Sequence, residues 1–246
     1  MKTSLLLFLV VAAIVAGLVC LRGQSATNPP EGNLPTAKTT LPKPASPEKV
    51  PAISSTPDKP QAFGYKCFWL AIHNENAGTI MDALKLKNRQ PANWASGIRQ
   101  AYGLKKVFVT PPVQGWTLVA GLALPDAGDA RHPDRCTPLL RDLSRQLGQV
   151  QYFGTHRVVE YHAWAKAENG AITRAYAYVG EEGVTLWNIG PKTPEEKALG
   201  FAFDDSKSPN EEDVMKIAGK WSINPQKLET MNLKDGVGTI GDLPDE

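Results

Sequence analysis

The sequence predicts an α+β domain, an antiparallel sheet of about five to seven strands with helices packed mainly on one face. Three observations predict it. Short alternating runs rich in Val, Thr, Tyr and Trp recur along the second half of the chain, Asn169-Gly170 sits between two of them as a hairpin turn, and short capped helical segments are interspersed throughout. The domain is expected at residues 63–246, preceded by an N-terminal transmembrane helix and a disordered tether.

The first element is membrane-directed. Residues 4–21 carry no charged side chain. A spanning helix needs about 20 apolar residues, whereas the apolar core of a cleaved signal runs to about 7–15. Residues 1–22 therefore read as a membrane anchor or signal segment. Arg22 separates the run from the small residues Gly23 and Ser25, which makes a poor cleavage site. Lys2 on a very short tail fits a signal-anchor with its N-terminus in the cytoplasm. The expectation is a single-pass protein of the cell membrane with its domain outside the cytoplasm. The alternative is a secreted or periplasmic protein after signal cleavage. Residues 23–62 contain nine prolines among Ser, Thr and Lys, with few large apolar side chains. Such a stretch cannot offset its chain entropy and reads as an extended disordered linker.

Within the domain, residues 65–73 alternate and read as a strand, 77–86 as a short helix and 91–102 as a second helix with Pro91 in its first turn. Residues 106–110 and 116–124 read as a hairpin around Pro111-Pro112-Val113-Gln114-Gly115, and 126–135 as a polar loop. Thr137 caps the next helix, Pro138 opens it and Gly148 ends it, with Leu139, Leu140, Leu143 and Leu147 on one face. Strands follow at 150–153, 158–166, 171–179 and 185–189. Thr193-Pro194-Glu195-Glu196 opens a small helix, 201–203 reads as an edge strand, and 211–219 and 225–231 read as two closing helices.

Composition excludes one class of function. Basic and acidic residues number 27 and 25, for a net charge of +2, and no basic stripe interleaves with aromatics, so no nucleic-acid partner is expected. No hydrolase, phosphate-loop or dinucleotide fingerprint is present, and no cofactor or metal is expected.

Two surfaces are candidates for chemistry or binding. An unbroken strand over 158–166, extended back to His156, would put His156, Glu160 and His162 on one face with Trp164, a set suited to acid–base or metal-dependent hydrolysis. The other face of the hairpin would then carry Tyr161, Arg174, Tyr176 and Tyr178, a flat amphipathic area suited to protein or glycan contact. Cys67 and Cys136 can form a disulfide in an oxidising compartment, or be two separately buried thiols.

At the C-terminus, the run Glu212-Asp213-Val214-Met215-Lys216-Ile217-Ala218-Gly219-Lys220-Trp221, with Ile223-Asn224-Pro225 and residues 228–233 after it, resembles a LysM module. The resemblance implies a helical pair that binds peptidoglycan. It departs from the family at both flanks, where a strand should adjoin each helix. Outside the resemblance, Val214, Ile217, Trp221, Leu228 and Met231 read as residues that complete the core. The functional expectation is a membrane-anchored, non-enzymatic protein-interaction module of the cell envelope. Peptidoglycan binding through the C-terminal pair, and an enzyme built on His156, Glu160 and His162, are the alternatives.

Overall fold

The computed structural model describes residues 52–103, 105–129, 132–203 and 208–244. The apolar run at 4–21 and the tether up to residue 51 lie outside the described residues. Among those described, no helix is long and apolar enough to cross a membrane. The chain divides at Glu48/Lys49, and the second unit holds the whole of the sheet.

That sheet has nine strands in the order β2-β9-β3-β4-β1-β5-β6-β7-β8, every neighbouring pair antiparallel. The strands are β1 (Cys67–Ile72), β2 (Lys87–Asn93), β3 (Val107–Val109), β4 (Thr117–Ala120), β5 (Gln149–His156), β6 (Tyr161–Glu168), β7 (Ala171–Val179), β8 (Val184–Ile189) and β9 (Val237–Asp242). The helices are α1 (Ala77–Ala83), α2 (Trp94–Ala101), α3 (Cys136–Leu147), α4 (Pro194–Ala198) and α5 (Glu211–Trp221), with a 3-10 turn at Pro225–Thr230.

The fold is α+β and antiparallel, with more strands than the expected five to seven. The additions, β2 and β9, pair with each other at one end of the sheet. β2 replaces the start of the expected helix at 91–102. Its Pro91 lies on an edge strand, where a missing N–H costs least, and α2 begins only after Asn93, whose side chain accepts a hydrogen bond from the Ser96 amide. β9 is read poorly from sequence because Gly238 and Gly241 dilute its pattern. Residues 201–203 form no strand.

Helices cover both faces of the sheet, not mainly one. On the first face α1 and α3 bury Ile80, Leu140, Leu143 and Leu147 against Leu70, Ile72, Val150 and Tyr152. On the second face α2 and α5 bury Trp94, Val214, Ile217 and Trp221 against Trp69, Phe108, Phe153 and Trp164. A central strand such as β1 is therefore apolar on both sides, and its run from Trp69 to Ile72 is fully buried. The close approach of α2 to β3 depends on Gly97, since a Cβ there would overlap the Phe108 ring.

Caps fix where the helices start. α4 and α5 carry reciprocal capping boxes, Thr193 with Glu196 and Asn210 with Asp213. Thr137 does not cap α3 but lies inside it: the N-cap is Arg135, without a side-chain cap bond, and the Asp134 carboxylate just before it takes both the amide (2.9 Å) and the hydroxyl (2.6 Å) of Thr137. α2 has a second cap from far upstream, where the Asp58 carboxylate accepts the amides of Trp94 (2.6 Å) and Ala95 (3.0 Å). The Asn93 amide donates to the Ser54 carbonyl at 2.7 Å, so the end of the Pro-rich stretch is pinned to β2 before residue 63 is reached.

Candidate functional site

The β6–β7 hairpin turns at Asn169 and Gly170, both at positive φ as such a two-residue turn requires. From Glu168↔Ala171 and Ala167↔Ile172 the register then slips by one residue, so that Lys166 pairs with Arg174, Trp164 with Tyr176 and His162 with Tyr178. The extra residue, Thr173, is a β-bulge. A slip of one residue moves every following side chain to the other face. Sequence reasoning put His162 and Trp164 on one face of the hairpin, and the tyrosines and Arg174 on the other. The bulge instead brings His162, Trp164, Arg174, Tyr176 and Tyr178 together on the α5 face. Tyr161 alone stays on the α3 face, where its hydroxyl accepts the Ala127 amide at 3.2 Å and lies 3.4 Å from the Tyr152 hydroxyl.

The merged face centres on a buried ion pair. Arg174 and Glu196 are 1% and 0% exposed. The Arg174 Nε donates to both Glu196 carboxylate oxygens at 2.9 and 3.0 Å, and the Trp164 indole N–H donates to the same carboxylate at 2.8 Å. The Thr193 amide completes that shell at 2.6 Å. Arg174 Nη1 reaches Asn188 Oδ1 and the carbonyls of Ala175, Ile189 and Gly190. Tyr176 lies against Phe203, with ring centres 4.2 Å apart, and Trp164 against Phe201 at 5.3 Å. Arg174 is thus a structural residue that ties β7, β8 and α4 together. The small cleft beside it, lined by Phe201, Ala202, Phe203, Ser208, Pro209 and Asp213, has room for about one water, far short of a ligand pocket.

His162 is buried with the Thr155 hydroxyl 3.1 Å from its Nδ1, and that hydroxyl is 3.4 Å from Glu211 Oε1. The Thr155 hydroxyl thus bridges the imidazole and the Glu211 carboxylate. Burial pulls the His162 pKa down to about 4, opposed by the Asp213 carboxylate, so the ring is neutral near pH 7.

The hydrolytic set does not converge. β5 ends at His156, a turn occupies residues 157–160, and His156 pairs across the hairpin with Tyr161 while His162 pairs with Thr155. His156 and His162 therefore face opposite sides of the sheet, and Glu160 lies in the turn at positive φ with its side chain over Gly180. The unbroken strand needed for one shared face is absent. Among the described residues no three His, Cys, Asp or Glu side chains are grouped to hold a metal. Cys67 and Cys136 are free thiols in the cores of opposite faces, so the sheet itself separates them and they form no disulfide. Burial raises the Cys67 pKa to about 12 and that of Cys136 well above its ordinary value.

At the C-terminus Val214, Ile217 and Leu228 are fully buried, Trp221 is nearly so, and Met231 packs on the same cluster. The second helix of the LysM-like stretch is the 3-10 turn at Pro225–Thr230, and the strand after it, β9, pairs with β2 and β3.

The two ends of the sheet differ. The β2 edge carries Lys87, Arg89 and Pro91, and residues 54–58 are hydrogen-bonded over its end, all devices that blunt an edge. The β8 edge, Val184-Thr185-Leu186-Trp187-Asn188-Ile189, has no charge and no proline. Val184 is 42% and Ile189 38% exposed, two of the five large hydrophobic residues exposed among those described. Sequence reasoning found β8 as a strand but had no signal that it lies at the end of the sheet. It likewise missed Glu196 as the partner of Arg174, because that pairing depends on the bulge. No family model matches the chain, and no curated protein or solved structure is significantly similar to it.

Proposed function

We propose that this chain is a non-enzymatic protein-interaction module of the cell envelope, anchored by residues 4–21 and displayed outside the cytoplasm on its Pro-rich stretch. The observation that carries the interaction reading is the β8 edge. It is uncharged, β-branched and aromatic, and bounded by two exposed aliphatic side chains at the end of the sheet. Strand addition to such an edge is a common mode of protein recognition, in which main-chain hydrogen bonds give affinity and alternate side chains give specificity. The Glu196 carboxylate on the α5 face supports the same reading, because Arg174, the Trp164 indole and the Thr193 amide all donate to it. The anchor and its topology rest on the sequence pattern alone.

The test is a photo-reactive residue at Val184 or Ile189 of the full chain in living cells, with the same residue at Arg89 on β2 as a control. Discrete protein adducts from the β8 positions and not from position 89 are expected. Equal labelling at both edges, or none at β8, removes the interaction reading. Protease accessibility of residues 23–51 in intact cells tests the topology separately.

A further inference from the structure

We propose that the β8 edge pairs with β8 of a second copy of this chain, antiparallel about a dyad between Leu186 and Trp187, to make one continuous sheet. This rests on the reading of β8 as an interaction edge and names its partner.

The bulge in β8 makes the strand self-complementary. Ala177 pairs with Trp187 and Tyr178 with Thr185, so Leu186 is the extra residue. Val184, Trp187 and Ile189 lie opposite Val179, Ala177 and Ala175, which belong to or pack on the α3-face core, and Leu186 packs on that core too. Thr185 and Asn188 lie opposite Tyr178 and Tyr176, on the α5 face. Read along the strand, the faces run α3, α5, α3, α3, α5, α3, a palindrome about its midpoint. A regularly alternating strand paired with itself about that midpoint would place opposite faces together. With the bulge, each pair shares a face.

The resulting pairs are chemically matched. Val184 meets Ile189 of the second copy, so the two exposed aliphatics of the strand cover one another, and Thr185 meets Asn188. Aliphatic cross-strand neighbours are among the pairs that favour a register. The β2 edge offers no such match, since it carries Lys87 and Arg89 and its Pro91 cannot donate.

The test is disulfide trapping in the full chain. Val184 and Ile189 make no side-chain hydrogen bonds and both are surface-exposed, so Val184→Cys and Ile189→Cys leave the fold intact. In the proposed dimer these positions are directly opposite, within the roughly 4.4–6.8 Å Cα separation of a disulfide. Within one chain, or between identical positions of two chains, they are offset by five residues, about 16 Å along a strand. The double variant, and the two single variants produced together, should give on the order of tenfold more reducible dimer than either single variant alone. Equal trapping in single and double variants, or no dimer in any of them, overturns the self-pairing. If that happens while Val184 still photo-labels a protein other than this chain, the interaction module stands with another partner. If neither crosslink forms, both fall.

Discussion

Glu196→Ala isolates the group that holds the β7–β8 end of the sheet together. The substitution removes the acceptor of two bonds from Arg174, one from the Trp164 indole and one from the Thr193 amide. It leaves a guanidinium that is 1% exposed with no counter-charge. Removing one partner of a buried pair costs about 3–5 kcal/mol, most of it the uncompensated charge that remains. Against a total stability of roughly 5–15 kcal/mol, that is about a fifth or more of what holds a typical domain folded. For a unit of this size each kcal/mol moves the melting temperature by about 2–4 °C, so a fall of roughly 6–20 °C is expected. Urea unfolding of the full chain, followed by tryptophan fluorescence, measures the cost. Adding Arg174→Met to Glu196→Ala should cost less than the sum of the two single changes, because the charge left behind by the first is removed by the second. A loss below about 1 kcal/mol for Glu196→Ala, or strict additivity in the double variant, would refute the assignment of Arg174 and Glu196 as one buried unit.

Three further outcomes follow from the same geometry. The His162 pKa is depressed to about 4 from 6.5, so the unfolded chain binds the proton first and stability falls as pH drops from about 6.5 to 4, by up to about 3 kcal/mol, and His162→Gln should flatten that slope in urea titrations at pH 7 and 4.5. Cys67 and Cys136 are 0% exposed with raised pKa values, so both should resist a maleimide in the native chain and react fully in urea, and fast native labelling of either would contradict their burial. Gly97→Ala should destabilise by about 1–3 kcal/mol through overpacking on Phe108, measured by thermal melting, and a neutral result would mean that α2 can shift away from β3.

How far the sequence was legible depended on the range of the interaction. The hairpin at Asn169-Gly170, the end of α3 at Gly148 and the capping box at Thr193 are local devices, and all are read directly from neighbouring residues. β2 and β9 were lost because each is weak alone: one carries Pro91 and charges, the other two glycines, and they become strands by pairing across more than a hundred residues. The faces of the candidate site turned on two local features, a bulge and a turn. Thr173 looks like any other strand position, yet as a bulge it exchanges the faces of Arg174, Tyr176 and Tyr178 and dissolves the division into a histidine face and a tyrosine face. The turn at 157–160 did the same to His156. Bulges and turns without Gly or Pro leave little trace in residue type, and a functional reading that depends on which side a residue faces inherits that weakness.

The pinning of residues 54–58 to β2 also sets a distance. The described chain enters the domain beside one end of the sheet, and β8 is the strand at the other end, eight inter-strand steps away. At about 4.8 Å per step that places the uncharged edge roughly 40 Å from the point of attachment. An attachment through residue 52 therefore meets the domain at its blunted edge and leaves the uncharged edge at the far end of the sheet.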